Sequence, residues 1–129
     1  SRSATFALTE VRLGLAPAVI SLVLLHRMTP RGAQRTFLDG EVFDGEAAAA
    51  YGLVTEAVDA EDLDAAADHV CAALLVGSAQ GQRETKLLLN RAVLADLDAR
   101  REEVATTSAR LFGSEEAKAA MGAFLRRKG

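Results

Sequence analysis

One carboxylate stands alone near the start of the chain. Glu10, in "FALTEVRLGLAP", is the only acid among the first 38 residues, set between an apolar strand-like run and a glycine-containing turn that ends in proline. With Leu8 and Val11 beside it, such a carboxyl would be partly desolvated, which disfavours its charged form and suits a general acid or base working near neutral pH. The same position also suits a carboxylate that caps a turn or pairs with Arg12 or Arg27. The other candidates are weaker. His26 closes an apolar helical stretch and reads as a packing residue, and Cys71 falls on the apolar side of an amphipathic segment and reads as an inert core thiol. Paired acids such as Glu61-Asp62 and Glu102-Glu103 look like solvated helix faces. No glycine-rich phosphate loop is present. Two histidines and one cysteine, far apart in sequence, make no metal-ligand cluster, so no metal is expected.

Glu10 must be positioned by what surrounds it. The segment "ATFAL" reads as a short strand that begins with no turn or cap before it, and a lone strand needs a partner for its hydrogen-bonding groups. This suggests a chain cut from something longer. Pro17 suits the first turn of a helix through "AVISLVLLHRM", which is apolar nearly all round and is expected to be buried on most sides. In "TPRGAQRTFL", Thr29 is an N-cap and Pro30 the first helical residue. Asp39-Gly40 makes a turn. Beyond it come a short extended piece, an N-cap at Asp44, a two-turn helix stopped by Gly52, and a second extended piece from Leu53 to Val58.

From Asp59 on the pattern is helical. One helix carries a stripe at Leu63, Ala66 or Ala67, Val70, and Ala73 or Leu74, and ends at Gly77. Two more are expected over about 82–97 and 99–112, and a last one after Ser114 ends in the cationic "RRKG", which the helix dipole favours. Residues 1–58 thus form a mixed piece and residues 59–129 a helical one.

Composition narrows the function classes. The 129 residues are 50% hydrophobic but only 5% aromatic, with no tryptophan, so the core is built from Ala, Leu and Val, and helices are favoured. A net charge of −3 offers no broad basic surface for nucleic acid. The most apolar stretch, Leu13 to Leu25, is interrupted by Gly14, Pro17 and Ser21 and is shorter than the roughly 20 residues of a membrane span. No nucleic-acid or membrane partner is expected. One cysteine excludes an intrachain disulfide framework and fits a cytoplasmic protein.

Three blocks carry a resemblance. "ATFALTEVRLGLAPAVISLVLLHRM" resembles the "P-E-v-x-l-G-l-x-P" segment and following helix of the enoyl-CoA hydratase/isomerase (crotonase) superfamily. "FLDGEVFDGEAAAAYGLVTEAVDAEDLDAAA" is similar to that family's "l-t-G-e…A-x-E-A-x-x-x-G-L-V" block, and "SEEAKAAMGAFLRRKG" to its C-terminal "S-x-D-x-x-E-G-x-x-A-F". The resemblance implies the C-terminal portion of an α/β crotonase-like spiral fold (ClpP/crotonase), here mostly α-helical with short strands at its start. Residues 1–58 would be the end of the spiral core, and 59–129 the helical region that covers the acyl pocket and builds a homotrimer or hexamer.

It also implies an enoyl-CoA hydratase, in which Glu10 is one of two glutamates that activate water and move the proton. The second glutamate and the oxyanion hole would lie in an upstream half of the same protein. Pro17 and Ala18 would lie at the substrate, and Phe124 and Arg127 would match positions near the CoA adenine and 3′-phosphate. Ordinary packing of Phe124 and a solvated helix-end role for Arg127 are the alternatives. CoA would enter as part of an acyl-CoA thioester substrate, with no separate cofactor. Thr9 replaces the usual proline, and "PAVIS" replaces "P-G-A-G-G", which leaves the acyl group open. An isomerase, another thioester enzyme of this fold, and a noncatalytic assembly module are the other readings.

Overall fold

The computed structural model describes residues 1–128, and side chains for residues 1–126. It is mostly helical, with two short strands, β1 (Thr5–Phe6) and β2 (Phe43–Asp44). They pair antiparallel with Thr5 opposite Asp44 and Phe6 opposite Phe43. The initial strand therefore has a partner, but over two residues only. Its side chains add to the pairing: the Phe6 and Phe43 rings stack with centroids 5.8 Å apart, and Tyr51 meets Phe43 edge-on at 5.8 Å.

Between the strands lie the 3-10 turn Glu10–Leu13, helix α1 (Ala18–Leu24) and helix α2 (Pro30–Asp39). The start of α2 follows from its sequence: the Thr29 side chain accepts from Gly32 N, and Pro30, which has no N–H to leave unsatisfied, takes the first helical position. Helix α3 (Gly45–Ala50) starts in the same way, with Asp44 Oδ1 accepting from Ala47 N at 2.9 Å. Leu8, Leu24, Met28 and Ala33 form the buried cluster beneath these elements, with Phe37, Tyr51 and Leu53 packed against it.

The second extended piece, Leu53–Val58, does not form a strand. Arg2 N–H donates to Val58 O at 2.8 Å, but a single bond of this kind does not make a ladder. After a 3-10 turn at Ala60–Asp62 come α4 (Leu63–Leu75), α5 (Ala79–Phe112) and α6 (Glu115–Lys128). Where two helices were expected over 82–97 and 99–112, there is one. No glycine or proline lies between Gln82 and Phe112, and Asp96, Arg100 and Glu103 link one turn to the next across the expected break, at 3.4 and 3.5 Å. At 34 residues α5 is about 50 Å long.

Helix α1 is less covered than its apolar sequence implies. Leu22 and Leu24 are buried, whereas Val19 and Ile20 are 58% and 43% exposed. α1 packs on α5, so one face is covered and the other is left open. The stripe on α4 is similarly open, and Cys71 is exposed rather than a core thiol.

Candidate active site

Glu10 opens the 3-10 turn, and backbone bonds fix that turn at both ends. Arg12 N donates to Thr9 O and Leu15 N to Glu10 O, each at 3.0 Å. Gly14 leaves the turn in the left-handed region, φ +69°, which glycine enters without steric penalty. On one side the turn is tied to the end of α2, where the Arg12 guanidinium donates to the Asp39 carbonyl through Nε and Nη2, both at 3.4 Å. On the other side α6 lies against it: the position a Gly14 Cβ would take is 3.0 Å from Glu116 Cγ and 3.3 Å from Ala117 N, and Ala117 is fully buried.

Glu10 is half-buried between these supports. Among the described residues its carboxylate has no hydrogen bond or ion pair, so it neither caps a turn nor pairs with Arg12 or Arg27. A carboxylate held in place by its backbone and not committed to a structural partner remains able to take up or deliver a proton.

A cleft of about 550 Å³ runs between the turn and α6, lined by Thr9, Arg12, Leu13, Ala120, Ala123 and Phe124; Glu10 belongs to the same turn but does not line it. The small side chains at 120 and 123 keep this stretch of α6 from filling the gap. Phe124 closes one wall, so it is a cleft residue rather than part of the core. Pro17 and Ala18 do not line this cleft. Pro17 is buried ahead of α1, and Ala18 begins that helix, joined to the Glu10 turn through Ala16 and Leu15. Arg127 lies on α6, but its side chain is outside the described residues.

His26 is a partner rather than a packing residue. Its Nε2 lies 3.3 Å from Asp96 Oδ2, across a sequence separation of 70 residues that no local pattern reveals. Among the described residues no group of three or more His, Cys, Asp and Glu side chains could hold a metal ion, and no helix is long and apolar enough to cross a membrane.

The family pattern described as enoyl-CoA hydratase/isomerase matches residues 1–129. The chain belongs to the enoyl-CoA hydratase/isomerase family. Solved structures share the fold of this hydratase/isomerase-family chain. A crystal structure of an enoyl-CoA hydratase from Mycobacterium avium is 47% identical with a TM-score of 0.90, over 95% of this chain and 48% of that one. An enoyl-CoA hydratase from Shewanella pealeana is 37% identical with a TM-score of 0.62, over 96% of this chain and 46% of that one. A further enoyl-CoA hydratase, from Mycobacterium avium subsp. paratuberculosis K-10, is 29% identical with a TM-score of 0.83, over 97% and 52%. No curated protein matches. The chain has the crotonase fold of these structures and spans about half their length.

Proposed function

We propose that the protein is an enoyl-CoA hydratase and that Glu10 is one of its two acid/base groups. The observation that carries this reading is the uncommitted, half-buried Glu10 carboxylate, held by a backbone-fixed turn beside a largely apolar cleft. In the reaction the water oxygen bonds to C3 of a 2-enoyl-CoA, and a proton is added at C2. One carboxylate takes the proton lost by water while an acid supplies the one at C2; Glu10 is one of this pair. The second glutamate, and the two backbone N–H groups that would hold the thioester enolate oxygen, come from polypeptide upstream of this chain.

Phe124, Ala120 and Ala123 of α6 support a substrate role for the cleft between the Glu10 turn and that helix. Pro17, Ala18 and Arg127 enter the proposal as further substrate contacts. Apolar side chains stand exposed along α4, at its C-cap Val76 and along the first half of α5, among them Leu74, Leu75, Leu88 and Leu89. An exposed apolar surface of this kind supports assembly into a homotrimer or hexamer. The test is to offer the complete protein a panel of 2-enoyl-CoA thioesters and follow loss of the conjugated double bond and formation of 3-hydroxyacyl-CoA. Hydration of at least one member is the expected result. Migration of the double bond without uptake of water would make the enzyme an isomerase, and thioester binding without turnover would make the chain an assembly module.

A further inference from the structure

Helix α5 changes character along its length. From Ala79 to Ala92 every residue is exposed except Gln82 and Asn90, which are half-buried. From Val93 onward, covered positions recur every three or four residues through Leu97, Arg100, Val104 and Leu111. The helix therefore leaves the body near residue 93.

Asp96 stands at that point. His26, two residues past the end of α1, places Nε2 at 3.3 Å from Asp96 Oδ2, and the same oxygen accepts from Arg100 Nη1 at 3.4 Å. A carboxylate oxygen only accepts, so the Nε2–H of His26 donates. Arg100 is held in turn by Glu103 at 3.5 Å. Among the described residues, this is the one side-chain hydrogen bond joining the end of α1 to α5.

The pair closes a ring of elements. The Glu10 turn leads through Leu15 into α1, α1 packs on α5, α5 passes through Gly113 and Ser114 into α6, and α6 returns to pack on the Glu10 turn. The geometry points to His26 and Asp96 as a positioning pair that pins α5 where it leaves the body and so seats α6 over the Glu10 turn. Packing holds α1 against α5, and the directional His26–Asp96 bond adds a fixed point at the place where the exposed half of α5 begins, so its loss would loosen α5 there and, through α5, the cleft between α6 and the turn.

The structural part of this inference stands by itself, whereas its kinetic consequence rests on the hydratase reading. In the complete protein, His26→Ala and Asp96→Ala should each speed amide hydrogen exchange over residues 93–100 and over the Glu10 turn, by roughly twofold to fivefold, the scale of a partly exposed charged hydrogen bond. The double variant should be no worse than either single one. His26→Gln, whose side-chain amide can donate to Asp96, should restore the wild-type rates. Arg91→Ala, an exposed side chain on the same half of α5 and outside its apolar surface, should leave them unchanged.

With a 2-enoyl-CoA that is turned over, the alanine variants should raise KM by a similar factor and leave kcat in place. Unchanged exchange in both alanine variants, additive effects in the double variant, or no rescue by glutamine would overturn the pin. Faster exchange with an unchanged KM would overturn its link to the cleft. Faster exchange, with rescue, in a protein that turns over no enoyl-CoA would uphold the pin and count against the hydratase reading instead.

Discussion

Replacing Gly14 with alanine tests how closely the Glu10 turn and α6 are fitted. Two terms add. Alanine at φ +69° meets the left-handed penalty of about 1–2 kcal/mol. The new methyl group would also stand 3.0 Å from Glu116 Cγ and 3.3 Å from Ala117 N. Glu116 is exposed and can swing aside, but Ala117 is fully buried on a helix backbone and cannot, so a further overpacking cost of about 1 kcal/mol remains. The sum is a destabilisation of about 2–3 kcal/mol.

Gly122→Ala, in α6, is the control. Its added methyl group would meet only Arg126 Nη1, at 3.4 Å, an ordinary contact with the end of a flexible side chain. Alanine is the better helix former, so Gly122→Ala should stabilise by up to about 1 kcal/mol. Urea denaturation of the complete protein and the two variants, read as shifts in midpoint at constant slope, measures both. Opposite signs are expected. A neutral or stabilising Gly14→Ala would refute the claim that α6 is seated directly on the turn.

Other consequences follow from single residues. Leu22 of α1 is 3% exposed, so Leu22→Ala should destabilise by about 2–4 kcal/mol in the same denaturation assay, where Val19→Ala, at a 58% exposed position of the same helix, should cost well under 1. Asp44→Ala removes the acceptor for Ala47 N and should lower stability by about 1 kcal/mol, seen as a small drop in Tm, and Asp44→Asn, which keeps an acceptor oxygen, should recover most of it.

Local chemistry was the most legible part of the sequence. Thr29-Pro30 and Asp44 start α2 and α3 as their residue types require, because an N-cap depends on atoms three residues away. Features that depend on distant partners were less legible. The apolar circumference of α1 implies burial all round, yet one helix covers it on one side. Leu53–Val58 has strand-like composition, but the N-terminal segment meets it through one backbone bond. The continuity of α5 was legible only in part: it rests on side-chain links at Asp96, Arg100 and Glu103, which oppose no break signal stronger than an aspartate. Of the site, Glu10 was conspicuous as a lone acid, whereas its freedom from Arg12 became visible only once Arg12 was seen to donate to the Asp39 carbonyl. The His26–Asp96 contact has no sequence signal at all.

The central claim is that Glu10 moves a proton, and Glu10→Gln in the complete protein tests it most directly because glutamine keeps the size of the side chain and removes its acid/base capacity. The measurement is the steady-state hydration rate of a 2-enoyl-CoA by the variant and the wild type, with thioester affinity measured alongside. The account predicts a fall in kcat of about 100-fold or more, with binding retained. Turnover unchanged in Glu10→Gln would contradict it and remove Glu10 from the mechanism.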